Sequence, residues 1–303
     1  MAALPALAGA GLAPGDESVS TPEPHRSRPS QADSRASRLR FDVNLVLIPV
    51  TVTDSNEHPI RGLQKSDFRL FEDASEQQIT QFFSDDSPIS VGLVLDASNS
   101  MRLKLDQSRE AITEFLKFTS PDDEFFLMTF SDRPKLMTRF TSDPDDIEDA
   151  LQLVQARGWT SLYDAIYLGI SQMKHASHSR KVLFVFSDGN DNDSRYSKRE
   201  LTEMVKEADV RIFAISIQDK SRSLEELCDE SGGRAYRVRK VDELPDLAAR
   251  ISEELHSEYV LGYVPQATER DGKYRHVSIE ISKTTKEQSL RASWRRGYYG
   301  PAE

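Results

Sequence analysis

VGLVLDASNSM, residues 91–101, is the stretch whose reading decides the fold. Its apolar run lacks the alternation of a half-solvated strand and has the composition of one buried on both faces of a parallel sheet. The run delivers Asp96, then Ser98 and Ser100, and a helical pattern begins just beyond. Strand, hard oxygen atoms and helix, in that order, describe the carboxyl end of a strand in an open α/β sheet, where ligands bind. Two readings of those oxygens stand side by side. Either Asp96 or Ser98 caps the helix that starts near Met101, or the three side chains belong to a ligand site.

Working outward, the pattern after this stretch alternates. Lys104–Phe118 places Leu105, Ser108, Ala111, Ile112, Phe115 and Leu116 on one helical face. Glu124–Phe130 reads as a buried strand, Pro134–Phe140 as a short edge strand, and Asp145–Gln155 and Leu162–Lys174 as helices. Lys181–Ser187 (KVLFVFS) is a strongly apolar strand, followed by a helix over Ser197–Ala208 and a strand over Val210–Ile217. A helix around Leu227, a strand over Arg234–Val238 and a helix over Asp242–Leu255 complete the run. This order predicts a doubly wound, mostly parallel α/β sheet with helices on both faces.

The flanks read differently. Phe41–Asp54, Phe68–Glu72 and Gln78–Phe83 precede the α/β run without an intervening helix, and Glu258–Val264, Tyr274–Ile281 and Leu290–Trp294 follow it. Each set is too small for a stable sandwich alone. They are expected to pair into one smaller all-β, sandwich-like domain with the α/β domain inserted into it. The expected division is a leader over 1–40, β segments over 41–88 and 257–303, and the α/β domain over 89–256.

Composition narrows the function. With 39 Lys and Arg against 50 Asp and Glu, the chain carries a formal net charge of −11, which repels phosphate backbones and argues against nucleic acid as a partner unless the basic residues cluster locally. No run approaches the roughly 18–20 apolar residues of a membrane-spanning helix. The one cysteine, Cys228, falls in the helical pattern LEELCDES and is expected to pack as a small apolar residue. The first residues, MAALPALAGAGLA, end like a secretory cleavage region but lack a basic start; they read either as the tail of a signal peptide or as an Ala/Gly/Pro leader without an address. Ala13–Arg40 has almost no large apolar residue and reads as a linker.

Two other strand ends add oxygens to the opening motif. Thr160 stands in GWTSLYD ahead of a helix, and Asp188 follows the strand Lys181–Ser187. The ends of central strands converge in a doubly wound sheet, so Asp96, Ser98, Ser100, Thr160 and Asp188 are candidates for one site. With no histidine or thiolate among them, the set suits Mg²⁺, with Mn²⁺ or Ca²⁺ as alternatives. Asp164 reads as helix N-terminal charge, and Asp191 and Asp193 as solvated loop acids.

These motifs, Asp96-Ala97-Ser98-Asn99-Ser100, then Thr160, then Asp188, resemble the von Willebrand factor A domain and its metal-ion-dependent adhesion site. The resemblance covers residues 89–255. It implies that Ser98 and Ser100 bind the metal directly, Thr160 directly or through water, and Asp96 and Asp188 chiefly through water. The flanking phrases TVTDSNEHPIRGLQKSDFRLFED, YVLGYVP and DGKYRHVSIEI are similar to a bacterial group of exported, von Willebrand factor A related proteins, although Glu72-Asp73-Ala74 stands where that group commonly has E-D-G.

The expected function is a non-enzymatic, metal-dependent module that binds a protein ligand through a partner carboxylate, exported to the periplasm or the exterior. An intracellular recruiting subunit is the alternative that related domains suggest. A phosphoryl-transfer or hydrolytic enzyme finds neither a D-x-D at the strand end nor a G-x-S-x-G nor a G-x-x-x-x-G-K-[ST] in this chain. The sequence leaves the oligomeric state open.

Overall fold

The computed structural model describes residues 45–217, 221–240, 243–266, 269–282 and 290–302. The leader over 1–40, the start of the strand expected from Phe41 and the expected helix start at Asp242 lie outside them. The first strands are β1 (Val46–Thr53), β2 (Phe68–Glu72), β3 (Ser75–Gln77) and β4 (Ile79–Asp85). The α/β run follows as β5 (Ile89–Asp96), α1 (Leu105–Leu116), β6 (Glu124–Phe130), β7 (Pro134–Thr141), α2 (Pro144–Gln152), α3 (Leu162–Gln172) and β8 (Arg180–Phe186). It continues as α4 (Lys198–Glu207), β9 (Arg211–Ile217), α5 (Arg222–Ser231), β10 (Ala235–Val238) and α6 (Leu244–Leu255). The last strands are β11 (Glu258–Tyr263), β12 (Tyr274–Ile281), β13 (Arg291–Trp294) and β14 (Gly297–Tyr299).

The α/β run forms a sheet in the order β10-β9-β8-β5-β6-β7, parallel except for β7 at one edge. Every residue of β5 is buried, because helices cover both faces. Leu93, Leu95 and Phe184 pack with Ile112, Phe115 and Ile251 on one face. Val94, Phe126 and Leu183 pack with Ile166, Val205 and Leu227 on the other. Gly92 is required by this crowding: a Cβ there would lie 2.3 Å from the Phe126 ring and 2.8 Å from Leu183. Buried Cys228 joins the second cluster, as its helical setting predicts.

Local signals set the helix ends. Asp143 accepts from Asp145 N (3.0 Å) ahead of Pro144 and starts α2. Ser197 and Glu200 close a capping box at α4, and Gly232, with φ 81°, ends α5 in the left-handed conformation.

Strands from before and after the α/β run share two further sheets, ordered β13-β1-β11-β4 and β14-β12-β2-β3. Val50 of β1 registers with Tyr259 of β11, and Leu70 of β2 with Ile279 of β12. These residues meet Val52, Leu261 and Tyr263 in one core. Two of these strands, β3 and β14, are not expected from the sequence. Each has three residues, too short for a period-2 pattern to emerge, and each is defined by pairing with a longer neighbour.

Three arginines tie the α/β sheet to its flanks. Arg211 of β9 donates to Thr51 Oγ1 (3.1 Å) and pairs with Glu258, to which Arg180 of β8 also donates (3.2 Å). Arg234 donates to Thr53 Oγ1 and Ser293 Oγ, each at 3.2 Å.

The β2–β3 hairpin turns on Asp73 and Ala74, with φ of 45° and 68°. Positive φ at both central residues is the type I′ geometry that matches strand twist, and glycine suits its second position. An alanine there carries a left-handed cost of about 1–2 kcal/mol, against roughly 0.5–1 kcal/mol of extra chain entropy that a glycine would lose. Ala74→Gly is therefore expected to raise stability by up to about 1 kcal/mol in urea denaturation. A destabilised variant would contradict this account of the turn.

Candidate metal centre

The helix-cap reading of the opening motif fails on geometry. The α-helix begins at Leu105, its cap position is Lys104, and no side chain caps it. Ser98 stands ahead of a short 3₁₀ turn, Asn99–Met101, again without a capping side-chain bond. Asp96 Oδ1 instead accepts Ser98 N (2.9 Å), a tight Asp-initiated turn that folds the motif back on the strand end. The Ser98 and Ser100 hydroxyls meet at 2.9 Å.

The sheet register supplies the next contact. Leu95 of β5 is paired with Phe186 of β8, so the chains run side by side to Asp96 and Ser187. Ser187 Oγ donates to Asp96 Oδ2 (2.6 Å) and accepts from Gly189 N (3.0 Å), which shapes the turn bearing Asp188. Asp96 and Ser98 are buried, Asp188 is 4 % exposed, and Ser100 is open to solvent.

Thr160 is held close by backbone bonds. Asn99 N donates to Gly158 O (3.0 Å), and Arg157 N donates to Ala97 O (2.8 Å), so the first motif is stitched to the loop before Thr160. Asn192 brackets Thr160 from the other side, its Oδ1 accepting Thr160 N (2.8 Å) and its N–H donating to Thr160 O (3.0 Å). The structure thus places all five candidate residues at the carboxyl ends of β5 and β8 and in the loop that faces them.

Neighbouring acids have other tasks. Asp164 lies in the first turn of α3 as expected, and its Oδ1 also accepts Arg195 N (2.9 Å) and Tyr196 N (3.0 Å). Asp191 is not a solvated loop acid: it is half-buried and accepts Tyr163 N (3.2 Å) and Ser194 Oγ (2.5 Å). Both carboxylates hold the 191–196 loop against α3.

Three residues that sequence reading misses complete the centre. Ser187 and Asn192 are polar neighbours of recognised positions, and only strand register and loop folding reveal what they bond. Lys104 sits at the head of an amphipathic helix, where a lysine carries no signal. Its Nζ lies 3.5 Å from Asp188 Oδ2, with the lysine side chain only 12 % exposed.

Burial pushes the Asp96 carboxyl up to about 6, against the hydrogen bonds from Ser187 and Ser98 and with a further push from the Asp188 charge. The other Asp188 oxygen, Oδ1, is buried without a hydrogen-bond partner among the described residues. A buried, unpartnered carboxylate oxygen is costly unless a cation or water meets it. Two carboxylates beside three hydroxyls, facing one ammonium, leave net negative charge and hard oxygen donors, a set that fits a divalent cation of the Mg²⁺ or Ca²⁺ type. Among the described residues no group of three or more His, Cys, Asp or Glu side chains is placed to hold a metal ion.

Comparison with known proteins places the chain in a family. The chain is 27 % identical to bovine (Bos taurus) inter-alpha-trypsin inhibitor heavy chain H4 over 179 residues, covering 52 % of this chain and 20 % of that protein. The human (Homo sapiens) H4 chain is 26 % identical over 171 residues, covering 50 % of this chain and 18 % of its own length. The chain thus spans about a fifth of the length of these curated relatives. Among solved structures, a von Willebrand factor type A protein from Catenulispora acidiphila superposes with a TM-score of 0.51 at 12 % identity, covering 86 % of this chain and 76 % of that one. The family model of the von Willebrand factor type A domain matches residues 90–250, more than half of the sequence and the whole stretch from β5 into α6. On this match, the chain belongs to the von Willebrand factor type A domain family.

Proposed function

We propose that this chain is a divalent-metal-dependent protein-binding module without catalytic residues. Ser98 and Ser100 would hold the ion directly, Thr160 directly or through water, and Asp96 and Asp188 chiefly through water. Mg²⁺ is the expected ion, with Mn²⁺ or Ca²⁺ as alternatives. When bound, the metal supplies an open coordination position for a carboxylate from a protein partner. The protein's own part is to keep the cluster ordered and its charge incomplete. The Asp96 bonds to Ser98 N and Ser187 Oγ fix the first carboxylate, and the neutral hydroxyls leave a cation undercompensated, so an outside anion is drawn in.

The observation that carries this reading is the orphaned, buried Asp188 Oδ1 beside the paired Ser98 and Ser100 hydroxyls. The same proposal treats 89–256 as an insert carried by one β-domain built from 41–88 and 257–303, and places the protein in the periplasm or outside the cell. Support for the first point is the pairing of β1 with β11 and β13; support for the second is the signal-like sequence of the first residues. Among the described residues no helix is long and apolar enough to cross a membrane.

The test is metal binding read as stability. Mg²⁺ at a hundredfold excess over its Kd is expected to stabilise the protein by about 2–3 kcal/mol, and EDTA to reverse it. The Ser98→Ala/Ser100→Ala variant should lose both the stabilisation and the calorimetric heat of binding. A metal response that survives in this variant would overturn the assignment.

A further inference from the structure

Beside the metal centre, at the same end of the sheet, lies a groove of about 710 Å³. Its floor is Ala97, the residue between Asp96 and Ser98, together with the end of β6. One wall is the β6–β7 turn with Arg133 and Lys135, and the other is the chain after α2 with Leu153 and Arg157. The Arg157 N–H to Ala97 O bond (2.8 Å) joins that second wall to the metal-binding loop. The groove and the candidate centre therefore adjoin at Ala97, the residue between Asp96 and Ser98.

The charge of this groove is opposite to that of the chain. On a protein of net charge −11, Arg133, Lys135 and Arg157 are all exposed, and none has an ion-pair partner among the described residues. The one acid in the lining, Asp132, accepts Trp159 N through Oδ1 (2.7 Å), and three cations against this one carboxylate leave the lining net positive. Of the lining, Leu153 is 73 % exposed, and Trp159, whose N–H reaches Asp132 of the lining, is 65 % exposed. Unpaired cations with exposed apolar neighbours form a surface that anionic, partly apolar chains complement.

We infer that this groove is the docking site for an acidic peptide segment of a partner protein, with apolar residues among its acids. The segment would lie across Arg133, Lys135 and Arg157, its apolar side chains covering Leu153 and Trp159, and one carboxylate would continue past Ala97 to the metal centre. The inference deepens the proposed function and rests on it for that last carboxylate alone; the groove's own attraction is a salt-dependent contact that needs no metal. A peptide matches the surface better than a phosphodiester chain, which carries a charge at every residue toward a protein of net charge −11 and has no aliphatic side chain for Leu153.

The experiment uses the full chain and a fluorescein-labelled peptide of repeated Glu-Glu-Leu, with repeated Gln-Gln-Leu as control, read by anisotropy in Mg²⁺ and in EDTA. The variant is Arg133→Glu/Lys135→Glu/Arg157→Glu, whose fold is checked by circular dichroism and by a urea-unfolding transition that should stay cooperative as in the wild type. Expected results are binding of the glutamate peptide only, at least about tenfold weaker binding in the charge-reversed variant, and a shallower salt dependence there. Binding that withstands EDTA but falls in the variant supports the groove and removes only the bridging carboxylate between groove and metal centre. Binding that EDTA abolishes but charge reversal leaves unchanged overturns the groove and keeps the metal reading. No binding of the glutamate peptide up to about 1 mM also overturns the groove. So does equal competition by a labelled oligothymidylate, which would mark a general polyanion surface.

Discussion

Lys104→Met is expected to lower the stability of the metal-free protein by about 3 kcal/mol, and Mg²⁺ is expected to restore most of it. The lysine ammonium lies 3.5 Å from Asp188 Oδ2, with side-chain exposures of 12 % and 3 %, so this is a buried pair. Removing one member of such a pair costs more than the pair contributes, because the remaining charge keeps its desolvation penalty. Here the remaining charge has company, since Asp96 is buried close by and the two carboxylates repel. A divalent ion answers that surplus, so the deficit should shrink when Mg²⁺ is present and metal affinity should not fall. Urea denaturation of wild type and variant, each in Mg²⁺ and in EDTA, measures all four stabilities. A loss below about 0.5 kcal/mol in EDTA, or the same loss in both conditions, would remove Lys104 from the centre.

Glu258→Gln should be comparably damaging at the opposite end of the sheet, by about 3–5 kcal/mol. Glu258, the first residue of β11, is 4 % exposed and receives both Arg180 and Arg211. Burial pulls the Arg211 guanidinium down to about 10, which leaves it charged at neutral pH, and burial lowers Arg180 as well. An amide in place of the carboxylate leaves two buried cations facing a neutral group. Arg180 keeps partial compensation from Asp85, 3.8 Å away, and Arg211 keeps Thr51 Oγ1, so the loss stays short of unfolding. In a double-mutant cycle, Glu258→Gln with Arg211→Met should cost less than the sum of the single changes, because both remove the same contact. Additive costs, or a single-variant loss below about 1 kcal/mol, would show that the cluster does not hold the α/β sheet to its flanks.

Much of this molecule is legible along the chain. The alternation from Ile89 to Leu255 reports the doubly wound sheet because burial on both faces demands continuous apolar strands and amphipathic helices. Tyr274–Ile281 is readable to the residue, since its period-2 pattern runs the full length of β12. β14 is not readable, because a three-residue strand has no period and exists through its pairing with β12. The head of α1 shows a subtler failure. The residues after Ser100 look helical, yet the chain first makes a 3₁₀ turn, and α1 starts only at Leu105. That delay frees the Ser98 and Ser100 hydroxyls from capping duty.

The sequence by itself determined the sheet and the family, because these are written in short-range patterns and in residue type. Only the tertiary structure decided what each oxygen meets. Ser187 reaches Asp96 across 91 residues of chain because β5 and β8 run in register. Lys104 reaches Asp188, and Arg133, Lys135 and Arg157 come to share one groove, through the packing of loops from separate parts of the chain at one end of the sheet. Contacts between distant segments depend on register and packing, and neither leaves a periodic trace in the chain.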